Sequence, residues 1–580
     1  METKAEKRSR LLRFGLPAVP AALFFLLPLL IRAPLFCLND DLQLRDILSG
    51  NLGGSPDLHA VYMRAPLSFL LSLLYRILPS VPWFGGFLCL CMAGCFYFLF
   101  CSAAVRFLPA ERKAPEGGEG KAAFLPLTAG VLFAGALCFL FLLPVLIMPH
   151  YTLVAACCGA TGLWLLLRKK EDESRSLDIP AFVLLILCDQ IRSQVFLMLL
   201  PFAAAVVLLR LCFDGAEKEE KRLFLKKLVV SAVLWLVLLC VHKCAYLSYP
   251  WAEYLRLNDA RTKLYDYSGV WESDAAKEYY EKNGMRTETT LPLYLNYDLL
   301  PDGDARTERL SALALYREES RNPQGLQKVK NVLYELRVRT LSPDRGEIVY
   351  AWPYLFTALA GLVFFALKKR WIPFLALLGG LCLHFGLYAY LLWNGRAPER
   401  VTVSLYLIGT VYAAGLLLRE HAGRLGTVLA GAAATALFAA SFFSGSMEDY
   451  DRQITVNQTD DVLYSYMAEH ADTLFLLETY ATVDRTTPVL REDGSGNVLL
   501  MGGWQYGSPL QEETFGRFGY TEREELFAPG GANIVFREGV GLKPSELEAF
   551  LEERRPEGGR LKLLERLEAQ DATFLIYGME

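Results

Sequence analysis

Apolar runs of roughly twenty residues recur along this chain, each long enough to cross a hydrocarbon core about 30 Å thick, and charge gathers between them. The first run is Phe14–Ile31. Others follow at Pro82–Val105, Ala123–Pro144, Thr152–Leu167, Leu228–Leu247, Ile348–Leu367, Trp371–Trp393, Val401–Leu418 and Thr427–Phe443. Between Ile179 and Leu211 the pattern reads as two short spans meeting at a polar corner, CDQIRSQ, at Cys188–Gln194. The predicted fold class is a polytopic α-helical membrane protein with about eleven transmembrane helices.

Basic residues sit at alternate ends of these runs. Lys4, Lys7, Arg8, Arg10 and Arg13 precede the first. Arg112, Lys113 and Lys121 follow the second, and Arg168, Lys169 and Lys170 follow the fourth. Lys368, Lys369, Arg370, Arg419 and Arg424 continue the series. Lys and Arg favour the cytoplasmic side. The expectation is a multi-pass plasma-membrane protein with its N-terminus in the cytoplasm and its C-terminal part outside. The first run has no clear small-residue cleavage site, so it reads as a retained helix rather than a signal peptide.

Three polar or mixed stretches break the pattern. Ala65–Pro79 is too short to span and reads as an interfacial helix within an extracytoplasmic loop, 32–81. Residues 248–347 form a second loop, too long for a plain connection and too aromatic for disorder. Helical periodicity appears there at Ser311–Tyr316 and Leu326–Val338. The tail, 444–580, alternates strand-like segments (Thr473–Glu478, Asn497–Met501, Asn533–Arg537, Thr573–Tyr577) with helix-like ones (Asp460–His470, Ser545–Arg554). Ser545 and Glu548 have capping-box spacing. These stretches predict a transmembrane domain at 1–443 and a small extracytoplasmic α/β or α+β domain at 444–580.

Composition changes this picture little. The hydrophobic fraction is 53% and the net charge is −4, which argues against a nucleic-acid partner. None of the thirteen cysteines lies between Pro250 and Tyr350 or after Cys382, so the polar segments have no disulfide framework. Cys157 with Cys158, and Cys240 with Cys244 around His242, read as packing residues on apolar helices rather than metal ligands.

The candidate chemistry collects on one predicted side. Asp40 and Asp41 follow the first span directly, where carboxylates are costly unless hydrated or paired. His59, Arg64, His150, Tyr151, Arg192, Arg396 and Arg400 share that side. A carboxylate can take a proton from an attacking hydroxyl. Arginines can hold a phosphate and stabilise a leaving group. The rival reading of Arg192 is a structural ion pair with Asp189, and Asp259 and Asp266 read as surface or turn residues.

Four motifs carry a resemblance: NDD at Asn39–Asp41, YMRAPLSFLLSLLYRILPSVPWF at Tyr62–Phe84, MPHYT at Met148–Thr152 and GRAPERV at Gly395–Val401. In this order the chain resembles the GT-C superfamily of polyprenyl-phosphate-sugar glycosyltransferases. Asn258–Val270, NDARTKLYDYSGV, is similar to a stretch of uncharacterised bacterial membrane proteins of this type. The resemblance implies inverting transfer of a sugar from a polyprenyl-phosphate donor to an envelope glycan, lipid or protein acceptor. Asp40 or Asp41 would be the general base. Arg192, Arg396, Arg400 and Arg64 would contact the donor phosphate, and His59, His150 and Tyr151 would line the substrate. The chain has Asp-Asp where protein mannosyltransferases have Asp-Glu, and it lacks a WWDYG-type motif. Acceptor class and a divalent-metal cofactor are therefore left open. A flippase for a lipid-linked sugar and a non-catalytic envelope scaffold are the competing functions.

Overall fold

The computed structural model describes residues 14–107, 131–167, 177–215, 217–318, 324–343, 346–419, 423–441, 446–492, 494, 496–554 and 560–580. The basic clusters at 4–13, 112–121 and 168–170 lie outside the described residues, as does the start of the Ala123–Pro144 run.

The apolar runs fold as helices: α1 (Ala18–Ile31), α4 (Trp83–Phe107), α5 (Val131–Ile147), α6 (Tyr151–Leu166), α7 (Asp178–Ile191), α8 (Ser193–Leu208), α9 (Lys218–Ala245), α15 (Ile348–Leu367), α16 (Trp371–Trp393), α17 (Glu399–Arg419) and α18 (Gly423–Ser441). Among the described residues six of them, α4, α8, α9, α15, α16 and α17, are long and apolar enough to cross a membrane. The two apolar helices at the centre, α6 and α17, pack on each other and are buried almost all round. By contrast α9 turns Val229, Val230, Val233, Leu234, Val237 and Val241 outward. A continuous apolar face of that kind is costly in water, and α9 is among the helices long and apolar enough to cross a membrane.

Two short helices fill the first predicted loop, α2 (Asn39–Ser49) and α3 (Ala65–Ile77). Asp40 and Asp41 occupy the first turn of α2, where acidic groups meet the positive end of the helix dipole. Gly50 ends it in the left-handed conformation at φ 89°, its N–H returning to the Asp46 and Ile47 carbonyls. A Cβ there would lie 2.5 Å from the Pro56 nitrogen, so glycine is required.

The described residues of 248–347 fold as helices and their connections: α10 (Tyr249–Thr262), α11 (Asp274–Lys282), α12 (Thr287–Leu295), α13 (Thr307–Leu313) and α14 (Gly325–Leu341). In the tail, α19 (Ser446–Glu469) leads into a five-stranded sheet, β1 (Phe475–Leu477), β2 (Val498–Leu500), β3 (Asn533–Arg537), β4 (Leu561–Glu568) and β5 (Thr573–Met579), with α20 (Pro509–Arg517) and α21 (Pro544–Arg554). The order is β2-β1-β3-β5-β4, parallel across β2, β1 and β3 and antiparallel across β3, β5 and β4. Leu463 and Met467 of α19 close one face against Phe475, Leu477, Val535, Phe574 and Ile576. The expected cap at Ser545 is corrected: Ser545 is already inside α21, and the capping box seen is Glu522 with Glu525.

The tail is stitched into the rest of the chain. The extended stretch after α1 runs beside it, with Phe36 N–H donating to the Thr487 carbonyl and Val489 N–H to that of Pro34. On its other side Leu35 and Cys37 donate to the Ile147 and Pro149 carbonyls. The helical segment 248–347 docks through Leu300 N–H on the Met501 carbonyl and through packing of α12 on α21. These two seams fix where α2 begins, and hence where Asp40 and Asp41 sit.

Candidate functional site

The N-terminus of α2 abuts the N-terminus of α6. Asp41 is fully buried, and its Oδ1 accepts the Tyr151 backbone N–H at 2.9 Å. Its Oδ2 is buried with no hydrogen-bond partner. Burial raises the Asp41 carboxyl well above the usual carboxylate range, the Tyr151 N–H opposes this, and the neighbouring Asp40 charge adds to it. Burial thus disfavours the charged form of Asp41. Asp40 is half-buried, and its Oδ1 accepts the Trp504 indole N–H at 3.1 Å.

An aromatic wall runs past these carboxyl groups. Trp504 packs on Tyr62 at 4.8 Å, Tyr62 stacks on Tyr151 at 6.4 Å, and Tyr151 stacks on His150 at 4.7 Å between ring centres. The Arg192 guanidinium lies over two of these rings, 4.8 Å from that of Tyr62 and 5.3 Å from that of Tyr151. Such contacts hold a cation without neutralising it. Arg192 Nη1 is buried and has no hydrogen-bond partner.

His150 caps α6, its Nδ1 accepting the Thr152 N–H at 2.9 Å, while Nε2 is buried and unpartnered. Burial, then the charges of Arg400 and Arg192, push its pKa well below the usual histidine value, so the ring is neutral. Arg400 also acts electrostatically on Asp41. Among the described residues its guanidinium makes no ion pair or hydrogen bond. Asp40, Asp41, His150, Tyr151, Arg192 and Arg400 thus share one neighbourhood.

The other predicted residues are placed differently. Arg64 pairs through two nitrogens with Asp189, at 3.1 and 3.3 Å, and Asp189 is buried. The Asp189 pair expected for Arg192 therefore belongs to Arg64. Arg396 is ion-paired to Asp266, which is not a free surface residue. His59 has both ring nitrogens occupied, by Asp57 Oδ1 at 2.7 Å and the Ala245 carbonyl at 3.0 Å, and it stacks on Trp251 at 4.0 Å. Its ring is committed to a clamp on α9 and α10.

Sequence reasoning missed Trp504, the role of Tyr62 in the wall, and Arg261. Arg261 is buried, bonded to Asn258, Thr262 and Tyr297, and its charge reaches Tyr62. The one available signal was NDARTKLYDYSGV itself, which contains both Arg261 and Asp266. Among the described residues no three His, Cys, Asp or Glu side chains converge.

No family model, curated protein or solved structure matches the chain. The arrangement stands on its chemistry alone: a half-buried carboxyl group beside a fully buried one, and two guanidinium groups with no ion pair among the described residues. It can accept a proton at Asp40 and bind an oxyanion at Arg192 and Arg400.

Proposed function

We propose that the chain is a GT-C-like glycosyltransferase that moves a sugar from a polyprenyl-phosphate donor to a cell-envelope acceptor at the outer face of the plasma membrane. The observation that carries the reading is the pairing of Asp40 and Asp41 with two guanidinium groups, Arg192 and Arg400, that lack a partner carboxylate. An isolated guanidinium near an apolar bundle is costly unless an anion completes it. A phosphate at the end of a lipid tail does so while keeping the tail beside the helices.

In the proposed reaction Asp40 takes the proton of an acceptor hydroxyl. The freed oxygen attacks the anomeric carbon, the carbon–oxygen bond to phosphate breaks, and configuration inverts. Arg192 and Arg400 hold the phosphate as its charge grows. Asp41, held by the Tyr151 N–H, fixes the start of α2, and its burial disfavours a second negative charge beside the phosphate. In this reading the shorter apolar helices α1, α5, α6, α7 and α18 complete the set of spans.

The test is sugar transfer by purified full-length protein from a panel of radiolabelled polyprenyl-phosphate sugars, with Asp40→Asn and Asp41→Asn alongside. Donor turnover by the wild type and its loss in folded Asp40→Asn is the expected result. Undiminished turnover in both single variants and the double variant removes the assigned base, and no turnover of any donor by the wild type removes the reading.

A further inference from the structure

A cleft of about 120 Å³ lies on the opposite face of α2 from the buried carboxyl group, between that helix and the tail sheet. From α2 it is lined by Asn39, Leu42, Gln43 and Asp46, the spacing of one helix face. Tyr464 and Gln505 line the facing wall.

Two polar atoms there are buried without a hydrogen-bond partner, Gln43 Oε1 and Gln505 Nε2. Gln505 is only 7% exposed. Buried amide atoms are rarely left unpaired, and here one acceptor and one donor border the same space. The cations of the cleft are already matched. Arg45 is bonded to Asp46 at 2.9 Å and to Thr487 at 2.8 Å. Arg485 is bonded to Asp461 at 2.7 Å and lies over the Tyr464 ring at 3.7 Å. What the cleft offers a ligand is therefore neutral: amide donors and acceptors around apolar Leu42, Val498 and Leu499. That combination fits a sugar ring, whose hydroxyls both donate and accept and whose C–H face is apolar. The space holds on the order of ten waters, the scale of one ring rather than a chain.

On both walls the lining includes the residue next in sequence to the proposed base or to its partner. Asn39 precedes Asp40 in α2, and Gln505 follows Trp504, whose indole holds Asp40. We infer that this cleft binds the terminal sugar of a neutral glycan acceptor and delivers one of its hydroxyls to Asp40. The role as acceptor site rests on the transferase reading; the saccharide site does not.

The experiment uses full-length protein in nanodiscs and the methyl glycosides of glucose, galactose, mannose and N-acetylglucosamine as probes. Binding is read by saturation-transfer NMR and titration, and donor turnover is read in parallel. At least one glycoside binds the wild type, and Gln43→Leu and Gln505→Leu each weaken it about tenfold, the loss of one hydrogen bond. Both variants keep the wild-type unfolding temperature, because each removes an amide that has no protein partner. Asp40→Asn binds the glycoside normally but transfers nothing. Donor turnover with no glycoside bound, or binding unchanged in both leucine variants, overturns the cleft assignment and leaves the transferase standing. Glycoside binding by a protein that turns over no donor overturns the transferase and the acceptor role together, and leaves a saccharide site.

Discussion

Two of the chain's buried carboxyl clusters are answered in different ways. At the start of α2, Asp41 receives one backbone N–H, Asp40 receives an indole N–H, and the nearby guanidinium groups of Arg192 and Arg400 have no carboxylate of their own. At the seam between residues 248–347 and the tail, Asp298 and Glu478 draw their donors from the fold itself, although Asp298 Oδ2, like Asp41 Oδ2, is left without one. Asp298 Oδ1 accepts the Thr479 N–H at 2.9 Å and its hydroxyl at 2.7 Å. Glu478 accepts the N–H groups of Tyr480 and Leu542. Backbone donors of a folded seam cannot be lent to a ligand. Guanidinium groups without a protein anion can. The first set has the character of a site and the second that of a joint.

The sharpest way to break this contrast is to neutralise each set in turn. Asp40→Asn lowers the rate of sugar transfer by about 10²–10⁴-fold, the usual worth of a positioned general base. Asp298→Asn changes it less than about threefold, since its amide oxygen still accepts from Thr479. Transfer rates of the two purified variants check this directly. Equal losses would mean that burial alone, and not the partnering, was being read.

The arginines carry the same contrast at smaller size. Arg64→Ala strands the buried Asp189 carboxylate and destabilises the fold by about 3–5 kcal/mol. Removing Asp189 as well restores most of that. Arg400→Ala strands nothing, so stability moves within about 0.5 kcal/mol. Donor turnover instead falls about 10²-fold, as for loss of one charge-stabilising group. Thermal unfolding and turnover of the three variants separate the two roles. A stability loss in Arg400→Ala would reassign it to the scaffold.

How much of this was legible beforehand depends on the range of the interaction. Trp371–Trp393 has the same ends in sequence and structure, because an apolar run bounded by charge is a local signal. Strand β4, LKLLERLE, was not, because it is exposed at nearly every position and lacks a period of two; it is defined by its pairing to β5. Segment 248–347 looked like a loop because its helices are polar outside and buried only by tertiary contacts with the tail, the first loop and the apolar helices α15 and α16. In the site, NDD was visible as a cluster, but the partner of Asp40 lies 464 residues away at Trp504. The choice of Arg64 over Arg192 as the mate of Asp189 is likewise tertiary. Arg192 is adjacent in sequence, yet its side chain turns over Tyr62 and Tyr151.

The smallest expected effect tests the joint itself. Burial raises the Glu478 carboxyl from its ordinary 4.5 to about 7, against the pull of the Tyr480 and Leu542 N–H groups, and Asp298 is raised in the same direction by burial and by the charge of Glu478. A carboxyl whose folded pKa is raised binds more protons folded than unfolded. Its contribution to stability is therefore complete below about pH 4.5 and is lost as pH climbs to about 7. The seam should loosen by about 1–3 kcal/mol across that window. Glu478→Gln removes the titration but keeps an acceptor for only one of the two N–H groups, so it is less stable than the wild type at pH 4.5 while its unfolding temperature falls less than the wild type's between pH 4.5 and pH 8. Thermal unfolding at the two pH values measures the difference. A wild-type protein that grew more stable through the same window would show that the seam carboxyls are ionised and paired, as in a site, and the distinction between joint and site would fail at its quieter end.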